Sequence, residues 1–280
     1  MKQHTLQAPC TFSGKGLHGG RPVTMRILPA PADTGILFHR TDLGPDALLP
    51  ARIAYVSQTR RSTSLAGGGV KVATAEHLLS ALYGMGVDNV RVELDASELP
   101  ILDGSAKPYA EAFLSAGLVE QDAAREALVV EKSFVYEDTR SDARITIEPA
   151  TVPSFEVTID YRSEVVGIQH ASFQAGDDYA QEIAPCRTFC FFHEVELLLK
   201  LGLIKGGTLD NALVVDEPKG YLGGKVPYFE NELARHKLLD LLGDFSLAGR
   251  PILGKVTAYK PGHRVNTQAL KRFLNLYDER

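Results

Sequence analysis

Two leucine-rich runs of similar texture lie about 160 residues apart: Glu76-His77-Leu78-Leu79-Ser80-Ala81-Leu82-Tyr83-Gly84 and Arg235-His236-Lys237-Leu238-Leu239-Asp240-Leu241-Leu242-Gly243. They align with one gap, and each carries a histidine. Leu-rich helices resemble one another by composition alone, so the match is one indication of duplication and not proof of it. A true duplication would give two similar α+β domains, each presenting its histidine to a shared cleft, where ligand sites concentrate. His236 and Asp240 are spaced i, i+4, so on a helix both side chains leave the same face, one turn apart. With His77 they make three ligands of a tetrahedral zinc ion and leave the fourth position open. Glu76, next to His77, would stand close enough to take a proton from water held there.

Spacing alone leaves plainer readings open. With 8 His and 35 acidic residues, roughly one His-x-x-x-acid match arises by chance. His236 reads equally as a half-buried helix histidine bonded to Asp240, and Glu76 as a first-turn glutamate stabilising a helix N-terminus.

The 280 residues suit two domains of ordinary size. Net charge −5 and a pI near 5.9 give no basic surface for nucleic acid. No apolar run reaches the roughly 18 residues of a membrane span. Met1-Lys2-Gln3-His4-Thr5 lacks the apolar core of a signal peptide. Cys10, Cys186 and Cys190 cannot pair completely, which suits a reducing cytoplasm. Cys186-x-x-x-Cys190-x-x-His193 lacks the fourth ligand of a closed structural zinc site.

Alternating apolar residues predict strands at 23–28, 35–40 and 89–94. Thr74 is the expected N-cap of a helix over 75–83, closed by Gly84. A second helix opens at Ser105, with Pro108 in its first turn, and ends at Gly117. Residues 120–125 are polar and pattern-free and predict a linker, dividing the chain into domains at 1–123 and 127–280. Strands are then expected at 127–135, 143–149 and 155–161, and helices at 194–201 and 230–242, the latter stopped by Gly243. A last helix is expected from 267, capped by Asn266.

Six segments occur in order along the chain: Ser13-Gly14-Lys15-Gly16-Leu17-His18-Gly19-Gly20, Thr74-Ala75-Glu76-His77-Leu78, Ile101-Leu102-Asp103-Gly104-Ser105-Ala106, Arg187-Thr188-Phe189, Arg235-His236-Lys237-Leu238-Leu239-Asp240 and Thr257-Ala258-Tyr259-Lys260-Pro261-Gly262-His263. With them the chain resembles the LpxC family, the UDP-3-O-acyl-N-acetylglucosamine deacetylases of lipid A biosynthesis, from Gly14 to His263. The resemblance implies an α+β fold of two similar two-layer sandwich domains with small inserts and the site at their junction. It implies a cytoplasmic, monomeric Zn²⁺ hydrolase without stable membrane insertion or nucleic-acid partner. The small-molecule partner would be an acylated UDP-sugar, losing acetate from its 2-acetamido group to leave a free amine.

The same resemblance implies the roles. His77, His236 and Asp240 match the zinc ligands and Glu76 the general base. His263 matches a general acid, or a cation stabilising the oxyanion, and Asp244 the partner that keeps it charged. Thr188 matches a hydroxyl bonded to the developing oxyanion; by itself it reads as a strand threonine. Lys237 and Lys260 match the nucleotide diphosphate or sugar end, although solvation is the commoner fate of a lysine. Phe189, Phe191, Leu199, Leu203, Ile204, Gly206, Gly207, Leu209 and Val214 lie where the family builds an acyl passage, with core as the default for each. Arg60-Arg61-Ser62-Thr63-Ser64 departs from what relatives often carry at the catalytic mouth; its charge would contact phosphate or sit in water, and Thr63 is assigned to the substrate. A binding protein on the same scaffold, with a merely structural metal, is the competing reading. A zinc peptidase would need His-Glu-x-x-His, and Leu78-Leu79-Ser80-Ala81 supplies no second histidine.

Overall fold

A pair of five-stranded sheets with one shared strand order frames the molecule, seen in a computed structural model that describes residues 1–278. The first sheet runs Cys10–Lys15, Pro22–Pro29, Val90–Leu94, Ile36–Arg40, Leu48–Pro50. The second runs Phe134–Asp138, Ala143–Glu148, Lys255–Tyr259, Ser154–Asp160, Ile168–Gln174. In each, the strand that comes last in sequence lies in the centre and makes the sheet's parallel pair, with Ile36–Arg40 or Ser154–Asp160. Period-two burial explains the faces: Val23, Met25 and Ile27 point inward while Thr24 and Arg26 stay exposed, and Phe155, Val157 and Ile159 repeat this in the second sheet.

Between the fourth and fifth strands of each sheet comes a small three-stranded sheet and then a buried helix. In the first half the small sheet is Val56–Gln58, Ser64–Gly67 and Val70–Val72, and the helix is α1 (Glu76–Gly84); α2 (Lys107–Ala116) follows the fifth strand. In the second half come α3 (Tyr179–Glu182) and a sheet of Phe189–Phe191, Leu213–Asp216 and Gly220–Tyr221 that encloses α4 (Phe192–Lys200) in its connection. Then come α5 (Glu232–Ser246) and, after the fifth strand, α6 (His263–Asp278). The repeat suggested by two short runs extends to the order of elements.

Residues Glu76 to Leu82 of α1 are all buried, as is nearly all of α5, because the two helices pack along each other. They come into tight contact at Gly243, where an added Cβ would lie 2.2 Å from the Glu76 carbonyl oxygen. This corrects the expected helix stop at Gly243. The helix continues to Ser246, and the glycine serves close packing within it.

Other boundaries differ too. The expected linker is mostly strand: Leu118–Ala124 pairs antiparallel with Lys2–Leu6. Its polar pattern reflects a largely exposed two-stranded ribbon. The expected strand over 127–135 is two, with Leu128–Val129 leaving to pair with Ile252–Leu253. Thr74 does not cap α1; it takes a left-handed φ of 57° and donates its hydroxyl to Glu98. The last helix starts at His263, so Asn266 lies in its first turn, where its side chain reaches Asp244 and the Gly262 amide. No helix among the described residues is long and apolar enough to cross a membrane.

Candidate metal centre and reaction cleft

The first turn of α1 and the middle of α5 meet over one point. His77, His236 and Asp240 each bring a ligand atom there, all within 4.8 Å of one another, and all three residues are buried. His77 Nε2 lies 3.8 Å and His236 Nε2 3.5 Å from the same atom, Asp240 Oδ1. That oxygen is buried with no hydrogen-bond partner, while Oδ2 accepts the Lys237 ammonium at 2.8 Å. A buried carboxylate oxygen without a donor is costly unless a cation completes it. His236 Nδ1 donates to the Cys186 carbonyl at 3.0 Å, which leaves the Nε2 lone pair of the neutral ring facing the gap.

The charge states fit ligation. Burial, with His236 beside it, pushes the His77 imidazole down to about 3, so it is neutral at pH 7. Burial lowers His236 as well. Burial acts to raise the Asp240 carboxyl, but Lys237 and the histidines outweigh it and hold the group well below the usual range. Two neutral imidazoles and an ionised carboxylate are a donor set that suits Zn²⁺. Among the described residues no other group of three such side chains comes close enough to share an ion, so Cys186, Cys190 and His193 do not converge.

A second cluster faces this gap. His263, the first residue of α6, places Nε2 3.9 Å from both Glu76 Oε1 and Asp240 Oδ2, and bonds Asp244 Oδ2 through Nδ1 at 2.9 Å. Asp244 is fully buried and also accepts Asn266 Nδ2 and the Thr63 hydroxyl. Burial opposes a charge on His263, yet Asp244 and Asp240 more than offset it and lift the imidazole to about 9. For Glu76, burial dominates and pushes the carboxyl up to about 7, Asp240 adding to the rise and His263 opposing it. Its Oε2 accepts the Thr63 amide at 2.9 Å. A carboxyl raised to about 7 and an imidazole raised to about 9 therefore flank the candidate metal position.

Comparison with known proteins agrees in family. The LpxC family, described as UDP-3-O-acyl N-acetylglycosamine deacetylase, matches residues 3–275. A UDP-3-O-acyl-N-acetylglucosamine deacetylase of Myxococcus xanthus is 44% identical over 98% of this chain and 86% of its own. One from a Nostoc species is 43% identical over 99% of each chain. A bifunctional enzyme LpxC/FabZ of Chlorobaculum tepidum is 39% identical over 99% of this chain and 65% of its own. The chain belongs to the LpxC family.

In this LpxC family member the centre opens into a cleft of about 310 Å³ whose walls include Thr188, Lys237, Lys260 and His263. Thr188 stands just before the strand Phe189–Phe191, its amide bonded to the Gly104 carbonyl. The neighbouring Arg187 fixes this segment to α5 through a buried ion pair with Glu232. Leu17, Thr188 and Phe189 also line an apolar cavity of about 240 Å³, alongside Ile204, Gly207, Leu209 and Val214. Phe191, Leu199, Leu203 and Gly206 do not line it. Phe191 faces a different, polar cavity, Leu199 is half exposed, Leu203 is bonded by its backbone to Leu198, and Gly206 packs on the Gly16 carbonyl. Cys190, Phe192, Val195, Thr208, Ala212 and Leu222, with Leu17, complete the lining. Sequence reading missed them, since no local pattern separates a cavity wall from core.

The polar cavity, about 350 Å³, shares Arg61, Phe189 and Lys237 with the cleft and adds Tyr161 and Arg162. Lys237 stays charged: burial acts against the proton, but Asp240 raises the ammonium overall. Lys260 pairs with Asp142 and Asp160 at the cleft edge. Thr63, assigned to the substrate from sequence, lies elsewhere. It is fully buried, and its amide and hydroxyl brace Glu76 and Asp244 instead of facing the cleft.

Proposed function

We propose that this chain hydrolyses the 2-acetamido group of a UDP-3-O-acyl-N-acetylglucosamine to the free amine and acetate, as a cytoplasmic step of lipid A biosynthesis. The observation that carries this reading is the buried His77/His236/Asp240 set, with its partnerless carboxylate oxygen, opening beside an apolar cavity in an LpxC chain. Those three residues would hold Zn²⁺, which when bound supplies Lewis acidity for the amide carbonyl and acidifies water toward a pKa of roughly 7.

The remaining work falls to side chains. Glu76 takes the proton of the attacking water; burial makes it a stronger base than an exposed carboxylate, and the Thr63 amide aims it. His263 arrives charged and gives its proton to the departing nitrogen, because an amide cannot expel an amine anion. Asp244 keeps that proton on His263 until it is needed. The Thr188 hydroxyl, at the cleft wall, donates to the oxygen that gains negative charge. The acyl chain occupies the apolar cavity beyond Thr188 and Phe189. Lys237 and Arg61, which line both the cleft and the polar cavity, hold the diphosphate end, with Lys260 a further cation of the cleft wall.

Mass spectrometry of a panel of UDP-3-O-acyl-N-acetylglucosamines, incubated with the protein with and without a chelator, tests the proposal. Acetate release that the chelator abolishes and Zn²⁺ restores is the expected result. Binding of the panel with no acetate release would replace the enzyme by a binding protein.

A further inference from the structure

One carboxylate outside the cleft joins the approach to α1 with the wall of the apolar cavity. Glu98 Oε1 accepts the His18 amide at 2.7 Å and the Thr74 hydroxyl at 3.0 Å, and Oε2 accepts the Gly19 amide at 2.8 Å. Its backbone neighbours pair with Ala73, immediately before Thr74. Thr74 is β-branched, buried and held at a φ of 57°, a conformation costing about 1–3 kcal/mol that persists only where the surroundings impose it. It stands two residues before Glu76. On the other side, the 16–20 loop fits against Glu98 so closely that a Cβ on Gly16 would lie 2.4 Å from the carboxylate. That loop grips the second-half insert: Gly206 N donates to the Leu17 carbonyl at 2.9 Å and Lys205 N to the His18 carbonyl at 3.3 Å. Leu17, Ile204 and Gly207, all on this clasp, line the apolar cavity.

We infer that Glu98 is a positioning residue for both halves of the reaction: through Thr74 it places Glu76, and through the 16–20 loop it places the wall against which the acyl chain lies. The inference rests on the deacetylase reading. Neutral glutamine keeps one acceptor oxygen but turns an amine toward a backbone donor, so it restores part of the arrangement; alanine restores none.

The test compares kcat and KM of wild type, Glu98→Gln, Glu98→Ala and Thr74→Val on substrates with short and long acyl chains, with zinc content and thermal melting measured in parallel. For Glu98→Ala, kcat falls about tenfold on both substrates and KM rises several-fold more for the long chain than for the short. Glu98→Gln lies between it and wild type. Thr74→Val, which leaves the loop contacts alone, lowers kcat without chain-length dependence in KM. If Glu98→Ala does not fold, the glutamine and valine variants carry the same comparison. A zinc-loaded Glu98→Ala within about twofold of wild type on both substrates overturns the inference, as does a loss that is uniform across chain lengths and tracks melting. Absence of acetate release by wild type instead removes the deacetylase reading beneath it.

Discussion

The two helices that meet in the cleft serve it from different parts of their length. α1 offers Glu76 and His77 from its first turn, whereas α5 offers His236, Lys237 and Asp240 from its middle turns and Asp244 from its last. The contrast has physical consequences. A first turn has unpaired amides and a positive dipole end, which disfavours a charge on His77 and tolerates an ionised Glu76. Its position, however, is set by what precedes it: the strained Thr74 and the Thr63 amide. Interior turns are held by their own hydrogen-bond ladder, so α5 acts as a fixed template with its groups three and four residues apart. On the proposed reading, α5 supplies two of the three ligands, while α1 supplies the third together with a base that loops must aim.

Substitutions at the two helices should therefore separate metal binding from proton transfer. The largest effect is expected at His236→Ala, with loss of bound zinc and at least about a 10³-fold fall in activity, as several kcal/mol of charge stabilisation goes with the ion. Metal analysis beside the assay checks both. Glu76→Gln should keep full zinc while kcat drops by about 10²–10⁴-fold; loss of zinc there would erase the contrast. Asp244→Asn sharpens it from the α5 side. On the proposed reading activity needs His263 protonated, and Asp244 raises its pKa toward about 9, so removing that charge lowers the pKa. The falling alkaline limb of the pH–rate profile should move to lower pH by about one to three units, and an unmoved limb would detach Asp244 from His263. Smallest is Gly243→Ala, whose methyl would press on the Glu76 carbonyl and part the helices, costing about 1–3 kcal/mol in urea unfolding.

Spacing put His236 and Asp240 on one helix face, because an i, i+4 relation survives folding of a helix; that His77 joins them rested on the resemblance to the LpxC family, with the echoing runs as a lesser indication. Gly243 was misread because its tolerance depends on a partner 167 positions away, Glu76, and not on helix propensity. The ribbon at Leu118–Ala124 needed Lys2–Leu6, a pairing with no local trace. The last helix was expected from 267, yet it opens at His263; Asn266, expected as the cap, instead holds Asp244. Thr63 looked like a substrate contact beside two arginines, while its bonds to Glu76 and Asp244 come from opposite halves of the chain. Glu98 carries no motif at all. Each miss involves a partner outside its own element, whereas the helices and strands read correctly carry their periodicity within themselves.

X-ray absorption at the zinc edge of the metal-loaded protein reads the His77, His236 and Asp240 site itself. A first shell of nitrogen and oxygen only, near 2.0–2.1 Å, with two imidazoles resolved in the outer scattering, is expected. A sulfur shell near 2.3 Å, or a nitrogen and oxygen shell that survives His236→Ala unchanged, would put the metal elsewhere and contradict that assignment.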